Sequence, residues 1–179
     1  MCGKYIGVIG LVVISLLLSA CGARDPQQRY INEHSKEIDA AFEMIKTGRV
    51  ASAKLAIAQA QAGEVTKEDV IVSYAKLLAE QDLDLLRAFW CGAPKDLERK
   101  SASSYLKQNA DCNGKDAQRV ERLSDMLALA LTAEAQIKAI IPALMAGKRT
   151  AAEGVEYEQH VLLPLQKLIG IWKEAFGTK

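Results

Sequence analysis

From Pro26 onward the chain spaces its apolar residues three and four positions apart, the pattern of amphipathic helices. The first predicted helix opens at Asp25-Pro26, because Asp is a good N-cap and Pro suits the first helical position. Its apolar stripe consists of Ile31, Ile38, Phe42 and Ile45. We expect Gly48 to end this helix.

Further along, turn and capping residues divide the pattern into shorter helices. An Ala-rich second helix is predicted from Val50 to Ala62. Thr66, followed three residues later by Asp69, resembles a capping box and predicts the start of a third helix that ends near Trp90. The apolar stripe of that third helix consists of Ile71, Tyr74, Leu78, Leu85 and Phe89.

Three more helices are predicted in the second half of the chain. They span about Lys95–Asn109, Lys115–Met145 and Thr150–Phe176. Pro142 and Pro164 lie inside the last two and should kink or loosen them, since proline removes a backbone hydrogen bond. We expect Trp172 to be buried, since it fits the apolar stripe of the last helix.

Neither the spacing nor the composition predicts a strand, because no segment alternates apolar and polar residues over a sufficient length. Short connections make neighbouring helices antiparallel, which favours a bundle. The expected fold is therefore all-α, a compact bundle of five to six mostly antiparallel helices. No linker rich in Gly, Pro or Ser divides it, so residues 27–179 are predicted to form a single domain.

The first twenty residues have a different character. Lys4 is followed by an uncharged, apolar run from Tyr5 to Leu18 and by the small residues Ser19 and Ala20. This order is typical of a secretory signal peptide, and the run is shorter than the ~20 residues that cross a bilayer. Residues 1–20 are thus predicted to be a cleaved signal peptide.

The sequence Leu18-Ser19-Ala20-Cys21 resembles the lipobox of bacterial lipoproteins. The resemblance implies that Cys21 becomes the mature N-terminus and carries lipid, with palmitate-type acyl chains in the membrane. Residues 21–26 would then be the lipidated cysteine and a short tether. Gly22 resembles the sorting residue of outer-membrane lipoproteins, which implies an outer-membrane location facing the periplasm.

Charge and composition exclude some partners. The 23 basic and 22 acidic residues leave a formal net charge of +1, and half of all residues are apolar. Such a chain is neither disordered nor basic enough to favour nucleic acid. Loss of Lys4 with the signal peptide would balance the two signs.

The cysteines predict one disulfide. Cys2 would leave with the signal peptide and Cys21 would carry lipid, so Cys91 and Cys112 remain in an oxidising compartment. A straight helix from Lys95 to Asn109 would separate its ends by about 21 Å. The bridge therefore requires either connectors that fold back along a shortened helix or a break near Ser101–Ser104.

Candidate chemistry is sparse. Glu153, Glu156 and His160 share a helix face where a metal would need further ligands, and we favour a solvated polar face. No cofactor, catalytic or phosphate-binding motif is present. We therefore expect no enzyme activity, no metal, no cofactor and no small-molecule substrate.

Two further patterns bear on binding. Ala41, Gly48, Ala53, Ile57 and Ala60 have the spacing of a tetratricopeptide hairpin, but repeat arrays need about three copies. A close-packed, Ala-rich helical hairpin is the favoured interpretation. If exposed, Trp90 and Tyr74 are the candidate partner contacts, since aromatic residues are enriched at binding hot spots.

Three functional hypotheses follow, in order of preference. The first is a lipid-anchored, non-catalytic module that binds another envelope protein as an adaptor, pilot, exclusion factor or inhibitor, similar in outline to secretin pilotins. The second is a structural envelope lipoprotein that acts by self-association or cell-wall contact. The third is an enzyme with an unrecognised site.

Overall fold

A computed structural model describes residues 26–63, 65–109, 112, 121–147 and 151–177. The predicted signal peptide, Cys21 and the tether up to residue 25 lie outside the described residues, as does the N-cap predicted at Asp25. The first described residue, Pro26, is also the first residue of a helix, where the sequence predicted it.

The described residues form helices and no strand, which confirms the all-α class. The final three elements follow one another without a gap, so the described residues form five helical rods. In chain order the elements are α1 (Pro26–Gln61), α2 (Lys67–Trp90), α3 (Arg99–Gln108), α4 (Leu123–Ala146), α5 (Ala151–Tyr157), a π-helical segment (Glu158–Leu162) and α6 (Leu163–Phe176).

Helix α1 does not end at Gly48, so that prediction is wrong. The helix is 36 residues long in total, and it joins the two helices that were expected before Gly63 into one. Gly48 is buried, and a Cβ atom added there would lie 2.5 Å from His160 Cβ and 3.0 Å from the His160 carbonyl oxygen. The glycine therefore serves a close helix–helix approach and makes no turn. Because the residues from Ala41 to Ala60 lie on one continuous helix, both the tetratricopeptide interpretation and the favoured Ala-rich helical hairpin are wrong.

The π-helical segment accommodates Pro164. A proline at this position has no N–H for the carbonyl four residues earlier, which belongs to His160. The backbone instead widens, and the Leu163 N–H donates to the carbonyl of Glu158, five residues back. The last rod thus passes Pro164 as a continuous helix, and its widened turn lies against Gly48.

The rods pack in two groups around a shared core. Helix α1 packs mainly on α5, the π-helical segment and α6, whereas α2 packs mainly on α4 and α3. The largest fully buried side chains include both tryptophans, which confirms the prediction for Trp172. The central part of this core consists of Phe42, Leu86, Trp90, Met126, Ile137, Leu165 and Trp172.

Helix α3 has ten residues and is shorter than predicted. Arg99 at its start pairs with the buried carboxylate of Asp82 on α2, with 2.8 Å between Arg99 Nε and Asp82 Oδ1. Cys91 and Cys112 form a disulfide with their Cα atoms 5.0 Å apart. Of the two routes that the sequence left open, the structure has the shortened helix, which is unbroken across Ser101–Ser104.

Helix α4 is long and apolar enough to cross a membrane, judged by length and composition alone. In the bundle it buries eight residues, among them Ile137 and Leu144. It also continues past Pro142 to Ala146. The backbone carbonyl of Lys138, four residues before Pro142, is the one that this proline leaves without its helical donor.

We predict that Gly48→Ala destabilises the fold, because the added methyl group meets the His160 backbone and both helices must shift. Overpacking of this kind costs about 1–3 kcal/mol of unfolding free energy. Gly170→Ala is the matched control, since nothing lies within 4 Å of its added Cβ. It should stabilise helix α6 by roughly 0.5–1 kcal/mol. Urea unfolding measures the stability of both variants. If both changed stability by the same amount in the same direction, the close contact assigned to Gly48 would be contradicted.

We predict that loss of the Cys91–Cys112 bridge lowers stability by about 2–4 kcal/mol, because it closes a loop of 21 residues. A chain that begins at Gly22 has these two cysteines as its only ones. Its urea midpoint should fall on addition of dithiothreitol. The Cys91→Ser/Cys112→Ser variant should have a lower urea midpoint, which should not change on addition of the reductant. An unchanged midpoint would refute the stabilising role.

Candidate functional site

Helix α2 carries an apolar stripe that the bundle leaves exposed. The five side chains of this α2 stripe are between 38% and 64% exposed, and Tyr74 is the most exposed of them. Their spacing of three and four residues places them on one face of the helix. The members of the α2 stripe are Val70, Ile71, Tyr74, Leu77 and Leu78.

The sequence pattern placed part of this stripe in the core, and the structure corrects that. Ile71, Tyr74 and Leu78 lie on the surface, whereas the opposite face is buried. That buried face consists of Ala79, Leu83, Leu86 and Trp90. Helix α2 is therefore apolar on two faces, and only one of them packs within the bundle.

A cleft separates α1 from α2, because the two helices pack on different neighbours. We define this α1–α2 cleft by residues 46–60 of α1 and residues 69–87 of α2. Two cavities lie along it, each lined by both helices. The smaller, of about 90 Å³, lies near the α1–α2 connection. The larger, of about 510 Å³, extends to α3 and Cys112.

Three polar residues bridge the cleft between the cavities. The Lys76 ammonium on α2 donates to Ser52 Oγ of α1 at 2.6 Å and pairs with the carboxylate of Glu153 on α5. Ser52 Oγ donates in turn to Glu153 Oε1 at 3.0 Å. All three are buried, so this bridge joins α1, α2 and α5 at the floor of the cleft.

A second ionic group continues the floor toward α3. Arg49 of α1 binds the Asp84 carboxylate of α2 through both terminal nitrogens, at 2.5 Å and 3.4 Å. Glu80 lies between the two cations, with 3.8 Å from its carboxylate oxygens to Arg49 Nη2 and to Lys76 Nζ. The floor is therefore a continuous series of alternating charges.

Burial changes the acidity of groups at this floor. Desolvation raises the pKa of Glu80, against the opposing attraction of Arg49 and Lys76. Desolvation also raises the pKa of the Tyr157 hydroxyl, and the negative charge of Glu80 adds to that effect. Both shifts favour the neutral form of the group, as expected where water is excluded.

The Ser52–Lys76 contact has the composition of a serine–lysine catalytic pair, but its geometry differs. Ser52 directs its proton to Glu153 and accepts from Lys76, so the lysine does not act on that proton. The Ser52 side chain is also fully buried, which keeps substrates away from Oγ. These residues form a structural bridge that sequence reasoning missed, since none of them has a recognisable motif.

The face that the sequence assigned to solvent in the last helix is divided. Glu153 is buried in the bridge to Lys76, which corrects the prediction for this residue. Glu156 and His160 pair with each other at 3.5 Å and are partly exposed. Within the described part of the chain, no three ligands gather to hold a metal ion.

Of the two aromatic residues predicted as partner contacts, one is buried and one is exposed. Trp90 is 1% exposed and donates from its indole Nε1 to Asp39 Oδ1 at 2.7 Å, so it is a core residue and not a surface contact. Its ring packs near Phe42, with 6.3 Å between centroids. Tyr74 lies on the surface at the middle of the α2 stripe.

Sequence and structure together define the class as an all-α bundle with an open, ion-bridged cleft and an exposed apolar stripe beside it. Compared with protein-family models, curated proteins and solved structures, the chain shows no match in any of the three.

We predict that Glu153→Gln destabilises the protein by about 3–5 kcal/mol, because it leaves the Lys76 ammonium buried without its main carboxylate partner. The double variant Lys76→Met/Glu153→Leu should recover most of this loss. Glu33→Gln is the control, since it breaks an exposed pair with Arg29 and should cost at most about 1 kcal/mol. Equal losses for the two single variants, measured by urea unfolding, would show that the buried Lys76 ammonium does not depend on Glu153.

Proposed function

We propose that this chain is a lipid-anchored, non-catalytic module that binds a segment of another envelope protein along the α1–α2 cleft. The observation that carries the proposal is the exposed α2 stripe. None of its five members lines either cavity, but Val70 and Leu77 lie on the same line of the helix as Asp84, which lines the larger one. Monomeric proteins rarely expose a contiguous apolar patch without a binding role. A helix laid into a groove between two helices is a common recognition mode.

The proposed anchor fits the position of this surface. Cys21 would lie five residues before Pro26, where α1 begins. Helix α1 then extends for 36 residues, which is about 54 Å at 1.5 Å per residue. The α1–α2 connection and the apolar half of the cleft lie at its far end. A lipid at Cys21 would thus hold the bundle by one end and present the cleft away from the lipid.

Tyr74 is the proposed anchor of the contact. It is the most exposed member of the α2 stripe and is flanked by Val70 and Leu77, one helical turn away on either side. A tyrosine contributes a large apolar area at a small cost in conformational entropy. The surrounding aliphatic side chains would exclude water from it, as at known hot spots.

We predict that a photo-crosslinking amino acid at position 74, in the lipidated protein at its native level, captures one dominant envelope protein. The same amino acid at Lys36, an exposed position of α1 outside the cleft, should not. With the photo-crosslinking amino acid moved to Leu77 of the same stripe, Tyr74→Asp should lower the capture at least about tenfold, which is the loss expected of a hot spot. Met44→Asp, an exposed apolar position outside the cleft, is the matched control.

The outcomes separate the hypotheses. Crosslinks from position 74 to a second copy of the chain, or to cell wall, would favour the structural role and refute the proposed one. Equal capture from positions 74 and 36 would show that the cleft is not the binding site. A Cys21→Ser variant that loses the partner would support the role of the tether.

A further inference from the structure

The two ends of the α1–α2 cleft differ in charge. Near the α1–α2 connection, most side chains that line the smaller cavity are small or apolar, and its charged lining residues are the carboxylates Asp69 and Glu153. Ile57 on α1 and Val70 and Leu77 on α2 are exposed at the same level of the two helices. Near α3, the larger cavity is lined by four cationic side chains and two carboxylates. The cations are Lys46, Arg49, Arg87 and Lys107, and the carboxylates are Glu80 and Asp84.

On each helix that borders the cleft, apolar and charged side chains follow one another along the same line of the helix surface. On α2, Val70, Leu77 and Asp84 follow one another at seven-residue intervals, so they lie on one line of the helix. On α1, Lys46, Val50, Ala53, Ile57 and Ala60 alternate intervals of four and three. Each line is 14 residues long, which corresponds to about 21 Å or four helical turns. Apolar and cationic parts therefore belong to one continuous surface.

The carboxylates at the basic end all have cationic partners. Asp84 pairs with Arg49, and Glu80 lies between Arg49 and Lys76. Arg87 pairs with Glu43, and Lys46 has a looser contact with the same carboxylate at 3.5 Å.

Lys107 belongs to α3, a helix with three basic residues and no acidic one. Its side chain and that of Lys46 are exposed at the cavity. The basic end thus presents positive charge to an incoming group.

We infer that the segment bound in the cleft is an amphipathic helix of about four turns, with acidic residues at the end that lies next to α3. This inference rests on the proposed function and adds the partner's chemistry and orientation. Its apolar residues cover Ile57 and the part of the α2 stripe nearest the cleft, Val70, Tyr74 and Leu77, while its carboxylates face Lys46 and Lys107. Complementary charge at one end fixes the register and direction of the bound helix.

The test uses charge reversal at the exposed lysines, which make no contact in the buried bridge. Lys46→Glu/Lys107→Glu is combined with the photo-crosslinking amino acid at position 74. We expect crosslinking from position 74 to fall roughly tenfold, because two modest charge contacts become repulsive. The matched control Lys36→Glu reverses an exposed lysine of the same helix α1 outside the cleft. It should leave the yield unchanged, as should Lys46→Arg/Lys107→Arg.

A second crosslinking position reads the direction of the bound helix. Ser103 is exposed on α3 and lines the basic cavity. We expect the partner residues captured from positions 103 and 74 to lie within about 14 residues of each other. Aspartate or glutamate should cluster at the site captured from position 103. Thermal unfolding followed by circular dichroism shows whether each variant keeps its fold.

Each result has one meaning. No capture from position 74 overturns the proposed function and this inference with it. Capture from position 74 that is insensitive to Lys46→Glu/Lys107→Glu leaves the proposed function standing and overturns the acidic helix. A captured segment without acidic residues near position 103, or a second copy of this chain, also overturns it.

Discussion

The close packing of α1 on the last helical rod at Gly48 determines where the cleft lies. With no Cβ at this position, the α1 backbone reaches the widened turn of the π-helical segment at His160. The carbonyl that faces Gly48 is the one that Pro164 leaves without its α-helical donor. This contact fixes the rotation of α1, and residues one and four positions later, Arg49 and Ser52, then reach the floor of the cleft.

Much of the fold is predictable from the sequence because its signals are local. The first helical residue at Pro26, the capping box at Thr66 and the bridge between Cys91 and Cys112 depend on residue type and short spacing. The role of Gly48 is not local, since a glycine that ends a helix and one that allows close packing look the same in sequence. Only the neighbouring rod distinguishes them.

The site was harder to predict for a physical reason. Helix α2 is apolar on two faces, and periodicity alone does not tell which face meets the core. Small Ala79 lies on the buried face, whereas large Tyr74 lies on the exposed one, which reverses the usual expectation from size. The burial of Lys76 and Glu153 is equally hidden, because each is tolerated only through a partner 77 positions away.

The ionic floor explains why the cleft stays open. Burying Lys76 and Glu153 brings little net stability, since desolvation offsets most of their attraction. Apolar side chains at the same positions would let α1 and α2 pack closer together. The paired charged side chains instead keep the two helix axes apart, because the long side chains extend across the space between them. The cleft between α1 and α2 is thus kept open at the expense of closer packing.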